Sequence, residues 1–274
     1  MRVGGAAERG ECATFPVDMV DFDTHRALRK NRIRRRGIYL LPNLFTLAAL
    51  FAGFYAIVQA MNLRFDQAAA AIFVAMVLDG LDGRVARLTH TQSAFGAEFD
   101  SLTDMVSFGA APALIVYEWA LKGMGKLGWI AAFIYVAGAA LRLARFNVML
   151  DVADKRWFTG IPSPAAAALV AGLVWIVDDN NIDPAGLKWW IWAVTLFAGL
   201  TMVSNVPYWS FKSINLKKSV PFLAILVFLL AIALLSYQPP LVLFSGFVGY
   251  ALSGYVWLAW TKLRRGPPGP PASG

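Results

Sequence analysis

The sequence predicts an all-α fold: a polytopic membrane helical bundle of about eight transmembrane helices, with both termini cytoplasmic. Three observations predict it. Of the 274 residues, 58% are hydrophobic and only 15% are charged, with a mean hydropathy of +0.56. Soluble domains carry roughly 45–50% apolar and about 25% charged residues. Eight stretches approach the roughly 20 apolar residues that a spanning helix needs. The basic residues are also distributed unevenly between alternate loops. This composition excludes a disordered chain and a water-soluble enzyme. The single cysteine, Cys12, excludes an internal disulfide and a cysteine-based metal site. Two histidines, His25 and His90, argue against a histidine-rich metal site.

In chain order the expected spans are about 38–61, 66–88, 96–121, 128–150, 163–177, 188–208, 220–236 and 240–261. The fifth is short, and it begins among Pro162 and Pro164, as a shorter or tilted helix would. Ahead of the first span lie Arg26, Arg29, Lys30, Arg32, Arg34, Arg35 and Arg36, which places this end in the cytoplasm. The inner connections agree, with Arg84, Arg87, Arg142, Arg145, Lys155, Arg156, Lys212, Lys217 and Lys218. Lys262, Arg264 and Arg265 follow the last span. Outer loops hold only Arg64, Lys122, Lys126 and Lys188, and one is acidic through Asp178, Asp179 and Asp183.

The net charge of +8 therefore marks topology and a juxtamembrane hold on anionic headgroups, not nucleic acid. Three segments are expected: 1–37, a disordered and basic juxtamembrane arm; 38–262, the membrane domain; and 263–274, a disordered Pro/Gly tail. Residues 1–22 lack the continuous apolar core of a signal peptide. Trp189, Trp190, Trp192 and Trp260 read as interfacial anchors, and Gly138, Ala139 and Ala140 as a close helix contact. His90, in the short link between the second and third spans, is expected to be solvated.

Ionisable groups inside a bilayer are costly and mark function by default. The second span carries Asp79, Asp82, Arg84 and Arg87; the third carries Glu98, Asp100 and Asp104; the fourth carries Arg142 and Arg145. The link after the second span is short, so spans two and three form an antiparallel hairpin with all four aspartates at one depth, near the cytoplasmic face. Asp79, Asp82, Gly83, Ala86 and Arg87 follow helical spacing on one stripe, as do Gly96, Asp100, Asp104 and Ser107. Facing stripes would pool four carboxylates, which repel unless protonated or neutralised by cations. Oxygen-only ligands favour a hard cation such as Mg²⁺, Mn²⁺ or Ca²⁺. The small residues leave room for a ligand. A metal pair beside an arginine suits phosphate chemistry, with one free carboxylate to accept a hydroxyl proton. The bland alternative, acids paired with Arg84 or Arg87, explains neither the small residues nor the spacing. Glu98 lies off the stripe and reads as a helix-start or surface charge.

The run DGLDGRVARLTHTQSAFGAEFDSLTD, residues 79–104, resembles the signature of the CDP-alcohol phosphatidyltransferases, D-x2-D-G-x2-A-R-x8-G-x3-D-x3-D, at every fixed position. The resemblance implies a transferase that releases CMP from a CDP-linked lipid or alcohol. It implies Asp79, Asp82, Asp100 and Asp104 as ligands of divalent ions, two in number, with Asp104 also the candidate general base. It implies Gly83, Ala86 and Arg87 in the nucleotide and diphosphate pocket, helped by Asn43 and Thr46. Three further segments, LPNLFTL at 41–47, LRLARFN at 141–147 and FTGIPSPAAA at 158–167, look like the branch of that family that uses serine. The expected reaction is attack of the L-serine hydroxyl on CDP-diacylglycerol, giving phosphatidylserine and CMP, in the cell membrane and in a homodimer. Arg142 and Arg145, with Asn147 and Ser107, are the candidates for holding the serine carboxylate or a lipid phosphate. Ser163, beside two prolines, is expected to be structural. The rival readings are another CDP-alcohol phosphotransferase, with glycerol phosphate, inositol phosphate or choline as acceptor, and an ion-coupled transporter.

Overall fold

Eight helices and one short ribbon make up the described part of the chain. The computed structural model describes residues 22–89, 93–149, 157–209 and 222–264. The helices are α1 (Phe22–Met61), α2 (Phe65–Thr89), α3 (Ala94–Met124, which includes two π-helical turns and ends in a 3₁₀ turn), α4 (Lys126–Met149), α5 (Ser163–Asp179), α6 (Pro184–Val203), α7 (Phe222–Tyr237) and α8 (Pro239–Arg264). Strands β1 (Trp157–Thr159) and β2 (Pro207–Trp209) pair antiparallel, with Phe158 opposite Tyr208. The expectations for residues 1–21, His90, Lys155, Arg156, Lys212, Lys217, Lys218 and the tail from Arg265 lie outside the described residues.

Five helices, α1 from Pro42, α3, α4, α6 and α8, are long and apolar enough to cross a membrane. The protein is a helical membrane protein. The remaining three coincide with expected spans but differ physically. Helix α2 carries Asp66, Asp79, Asp82, Arg84 and Arg87; α5 has 17 residues and α7 has 16. Helix α5 is short because it is central. Ala165 to Ala168, Val170 and Ala171 are buried, and α5 packs between α2 and α8. Helix α2, against which it packs, also buries Ala68, Ala69, Ala71 and Ala75, and small residues let helices approach closely where lipid gives no hydrophobic drive. Helix α7 leans on α8 and exposes Leu226, Leu229, Leu230 and Leu234, a face suited to acyl chains.

Two boundaries differ from expectation. The basic segment expected as a disordered arm is helical from Phe22, so Arg26 to Arg36 continue α1; Ala, Leu, Arg and Lys are good helix formers, and no Gly or Pro intervenes before Gly37. The sixth span was expected to reach residue 208, but α6 ends at Val203 and the chain extends into β2. Pro207 cannot continue a helix's hydrogen bonding, and it biases Val206 to extended backbone.

The expected close contact at Gly138 is present. A Cβ there would fall 2.4 Å from the Gly199 carbonyl oxygen, and a Cβ at Gly199 would fall 2.8 Å from Tyr135 Cα. Both obstacles are backbone, so α4 and α6 would have to separate. Gly138→Ala is expected to lower stability by about 1–3 kcal/mol, the usual cost of overpacking. Thermal unfolding in detergent checks this, and an unchanged midpoint would mean that the two helices do not touch there.

Candidate active site

Helix α3 sets the geometry. Ser93 caps it, accepting from the Gly96 N–H at 3.0 Å. A Cβ at Gly96 would crowd Ser93 Oγ at 3.1 Å and Asn43 Oδ1 at 3.4 Å. The α-helical spacing then holds from Gly96 through Asp100 to Asp104. At Met105 the helix turns π and runs so to Ala110. Pro112, which has no N–H, cannot bond the Phe108 carbonyl, and the buried Tyr135 hydroxyl donates to it instead at 3.0 Å. Single π turns of this kind recur at functional sites.

The π turn corrects one expectation. The stripe joining Ser107 to the aspartates presumes an uninterrupted α-helix. Ser107 is instead fully buried against α1, donating to the Ala49 carbonyl at 3.1 Å, and a Cβ at Gly53 would lie 2.4 Å from its Oγ. Ser107 packs helices and does not face the acids.

Asp79, Asp82 and Asp100 come together, each offering a carboxylate oxygen within 4.8 Å of the others. Asp82 is buried; Asp79, Asp100 and Asp104 are half-buried. Asp104 stands one helical turn beyond Asp100 on α3, within electrostatic range of Asp79 and Asp100. Oδ1 of Asp100 and Oδ1 of Asp104 are buried without a hydrogen-bond partner. Orphaned buried oxygens call for a missing ligand. This all-oxygen donor set fits a hard divalent ion.

Thr46 of α1 supports the cluster. Its hydroxyl donates to Asp82 Oδ2 at 2.8 Å and lies 3.1 Å from the Pro42 carbonyl. Beside it opens a cavity of about 220 Å³ lined by Asn43, Thr46, Asp82, Gly83, Ala86, Arg87, Gly96 and Asp100. Asn43, Thr46, Gly83, Ala86 and Arg87, the residues expected at the nucleotide and diphosphate, therefore line one cavity. The Arg87 side chain is exposed, within electrostatic range of Asp82. Arg84 is exposed on the same helix and does not line the cavity, and Glu98 is exposed, as a surface charge should be. Hydrogen bonds that orient ligand carboxylates are worth roughly 10–100-fold in metal affinity. Thr46→Val is therefore expected to raise the Mn²⁺ concentration for half-maximal activity about tenfold, as read from a metal titration of CMP release. An unchanged titration would leave Thr46 a packing residue.

Helix α4 delivers Arg142, half-buried and within electrostatic range of Asp104. Its Nη1 donates to Ser163 Oγ at 2.7 Å. Arg145 is half-buried one turn further along. Asn147 is exposed and exchanges hydrogen bonds with Ser101 of α3, its Nδ2 donating at 3.1 Å, so it ties helix ends together and does not line the cavity. Ser163, expected to be structural, thus touches one of the candidate acceptor residues.

An oxygen-donor cluster that opens onto a cavity, in a chain with five helices able to cross a membrane, fits the class of intramembrane transferases of phosphate-bearing groups. The chain belongs to the CDP-alcohol phosphatidyltransferase family, whose profile matches residues 39–260. It is 39% identical over 225 residues to the CDP-diacylglycerol–serine O-phosphatidyltransferase of Helicobacter pylori strain 26695, covering 81% of this chain and 92% of that one. It is 33% identical over 245 residues to the protein of that name from Mycobacterium bovis, covering 82% and 83%. It is 33% identical over 201 residues to the one from Saccharomyces cerevisiae, covering 66% and 72%.

Proposed function

We propose that this protein transfers the phosphatidyl group from CDP-diacylglycerol to L-serine, giving phosphatidylserine and CMP. The carrying observation is the aspartate cluster opening onto the Thr46–Arg87 cavity, in a chain whose relatives bear that enzyme's name. The family match displaces the transporter reading.

Asp79, Asp82, Asp100 and Asp104 would hold divalent ions, two Mg²⁺ or Mn²⁺, with Ca²⁺ the other hard candidate. Bound there, the metal neutralises diphosphate oxygens and the charge that develops in displacement. Asn43, Thr46, Gly83 and Ala86 shape the cytidine and diphosphate cavity, and Arg87 balances the charge on departing CMP. Arg142 receives the serine carboxylate, and Arg145 a lipid phosphate. Serine carries its carboxylate and its hydroxymethyl group on one carbon, so a carboxylate on Arg142 brings the hydroxyl towards Asp104. Asp104 takes the hydroxyl proton. The serine oxygen bonds to the phosphorus that carries diacylglycerol, and the bond from that phosphorus to the CMP oxygen breaks.

Eight spans, cytoplasmic termini and an active site at the cytoplasmic face of the cell membrane complete the reading, supported by the loop charges. Residues 38–262 form the catalytic domain, and the family resemblance supports a homodimer. The test is CMP release by purified protein with CDP-diacylglycerol, Mn²⁺ and a panel of alcohols. Release with serine and little with glycerol phosphate, inositol phosphate or choline is expected. Equal release with every alcohol would overturn the acceptor.

A further inference from the structure

The β1–β2 ribbon has no part in the reaction described so far, yet it is tightly specified. Gly160 follows β1 at φ +82°, and its N–H donates to the Val206 carbonyl at 2.9 Å. A Cβ there would sit 2.3 Å from the Met202 carbonyl oxygen, so both the dihedral and the space demand glycine. The buried Ile161 then donates to the Thr201 carbonyl at 3.3 Å. Pro162 leads into α5, whose first residue, Ser163, is fully buried.

The other strand grips α8. The buried Tyr208 hydroxyl donates to the Ala251 carbonyl at 2.8 Å, and its ring occupies the space a Cβ at Gly254 would need. The Tyr208 and Tyr250 rings lie 5.5 Å apart, and the Tyr250 hydroxyl donates to the Trp209 carbonyl at 3.3 Å. The ribbon therefore clasps the start of α5, the end of α6 and the middle of α8.

One polar group of that clasp meets Arg142: Ser163 Oγ accepts from its Nη1 at 2.7 Å. A guanidinium is a rigid fork with five N–H donors on a flexible stem. Anchoring one donor fixes the plane of the fork and leaves others to receive a carboxylate bidentately. We propose that Ser163 is a positioning residue that holds the Arg142 fork for an amino-acid carboxylate, making the ribbon and the start of α5 the wall that selects the acceptor. This rests on the serine reading above.

The test measures steady-state kinetics of the full chain in detergent, varying serine and CDP-diacylglycerol separately with Mn²⁺ present, for wild type, Ser163→Ala and Ser163→Thr. Losing a hydrogen bond to a charged group corresponds to about tenfold. The serine KM is therefore expected to rise about tenfold in Ser163→Ala and to fall back towards wild type in Ser163→Thr, which keeps the hydroxyl, with the CDP-diacylglycerol KM within about twofold. An unmoved serine KM in Ser163→Ala would overturn the proposal, as would both KM values rising together, which is the mark of general loosening. Wild type that released no CMP with serine would instead overturn the acceptor reading itself.

Discussion

Asp100→Asn is expected to reduce CMP release by at least roughly 1,000-fold, the scale of losing a charge stabiliser of the transition state. The substitution keeps the shape of the side chain and removes its charge. Asp100 shares the site with Asp79 and Asp82 within 4.8 Å, and its Oδ1 is buried without a partner. Removing one of several crowded negative charges relieves repulsion, so the metal-free variant should unfold no earlier than wild type. Mn²⁺ should raise the unfolding temperature of wild type, because a ligand that binds only the folded state stabilises it, and should raise that of the variant far less. Activity and metal-dependent stabilisation thus fall together while the fold persists. Retained turnover would remove Asp100 from the metal site.

Arg142→Ala is the second large effect, and it should appear in a different parameter. Truncating one partner of a desolvated, hydrogen-bonded charge pair costs about 2–5 kcal/mol. The serine KM should therefore rise by about 100-fold, a change equivalent to about 2.8 kcal/mol. Arg142→Lys should recover little of this, since an ammonium is a point charge and cannot offer the bidentate fork. Initial rates over a serine series check both variants. A raised CDP-diacylglycerol KM with the serine KM unmoved would assign Arg142 to the lipid phosphate.

Much of the site is legible in the sequence, because α-helical spacing is strict over short distances. Asp79, Asp82, Gly83, Ala86 and Arg87 need only one regular helix, and α2 is regular across them. Asp100 and Asp104 need only the first turns of α3, which are α-helical. Ser107 was lost because the backbone turns π at Met105, and three residues beyond Asp104 no longer mean the same face. Asn147 shows another limit: spacing places it on its helix but does not reveal that Ser101 engages its amide.

The remaining gaps are tertiary. Ser163 looked structural from its prolines, and its contact with Arg142 spans 21 residues. Tyr250 lies on another helix altogether, and no periodicity foretells its contacts with Tyr208 and Trp209. The ribbon was invisible because three-residue strands carry no usable alternation, and its determinants, Gly160 and Gly254, act through contacts with Met202 and Tyr208. The central place of α5 was hinted at only by its shortness and its run of alanines.

The central claim is that α2 and α3 pool their carboxylates to bind divalent ions. Anomalous diffraction from crystals of the active protein grown with Mn²⁺ tests it most directly. Anomalous peaks bounded by the carboxylates of Asp79, Asp82, Asp100 and Asp104 are the expected result. Active protein whose Mn²⁺ peaks lay away from these four side chains would contradict it.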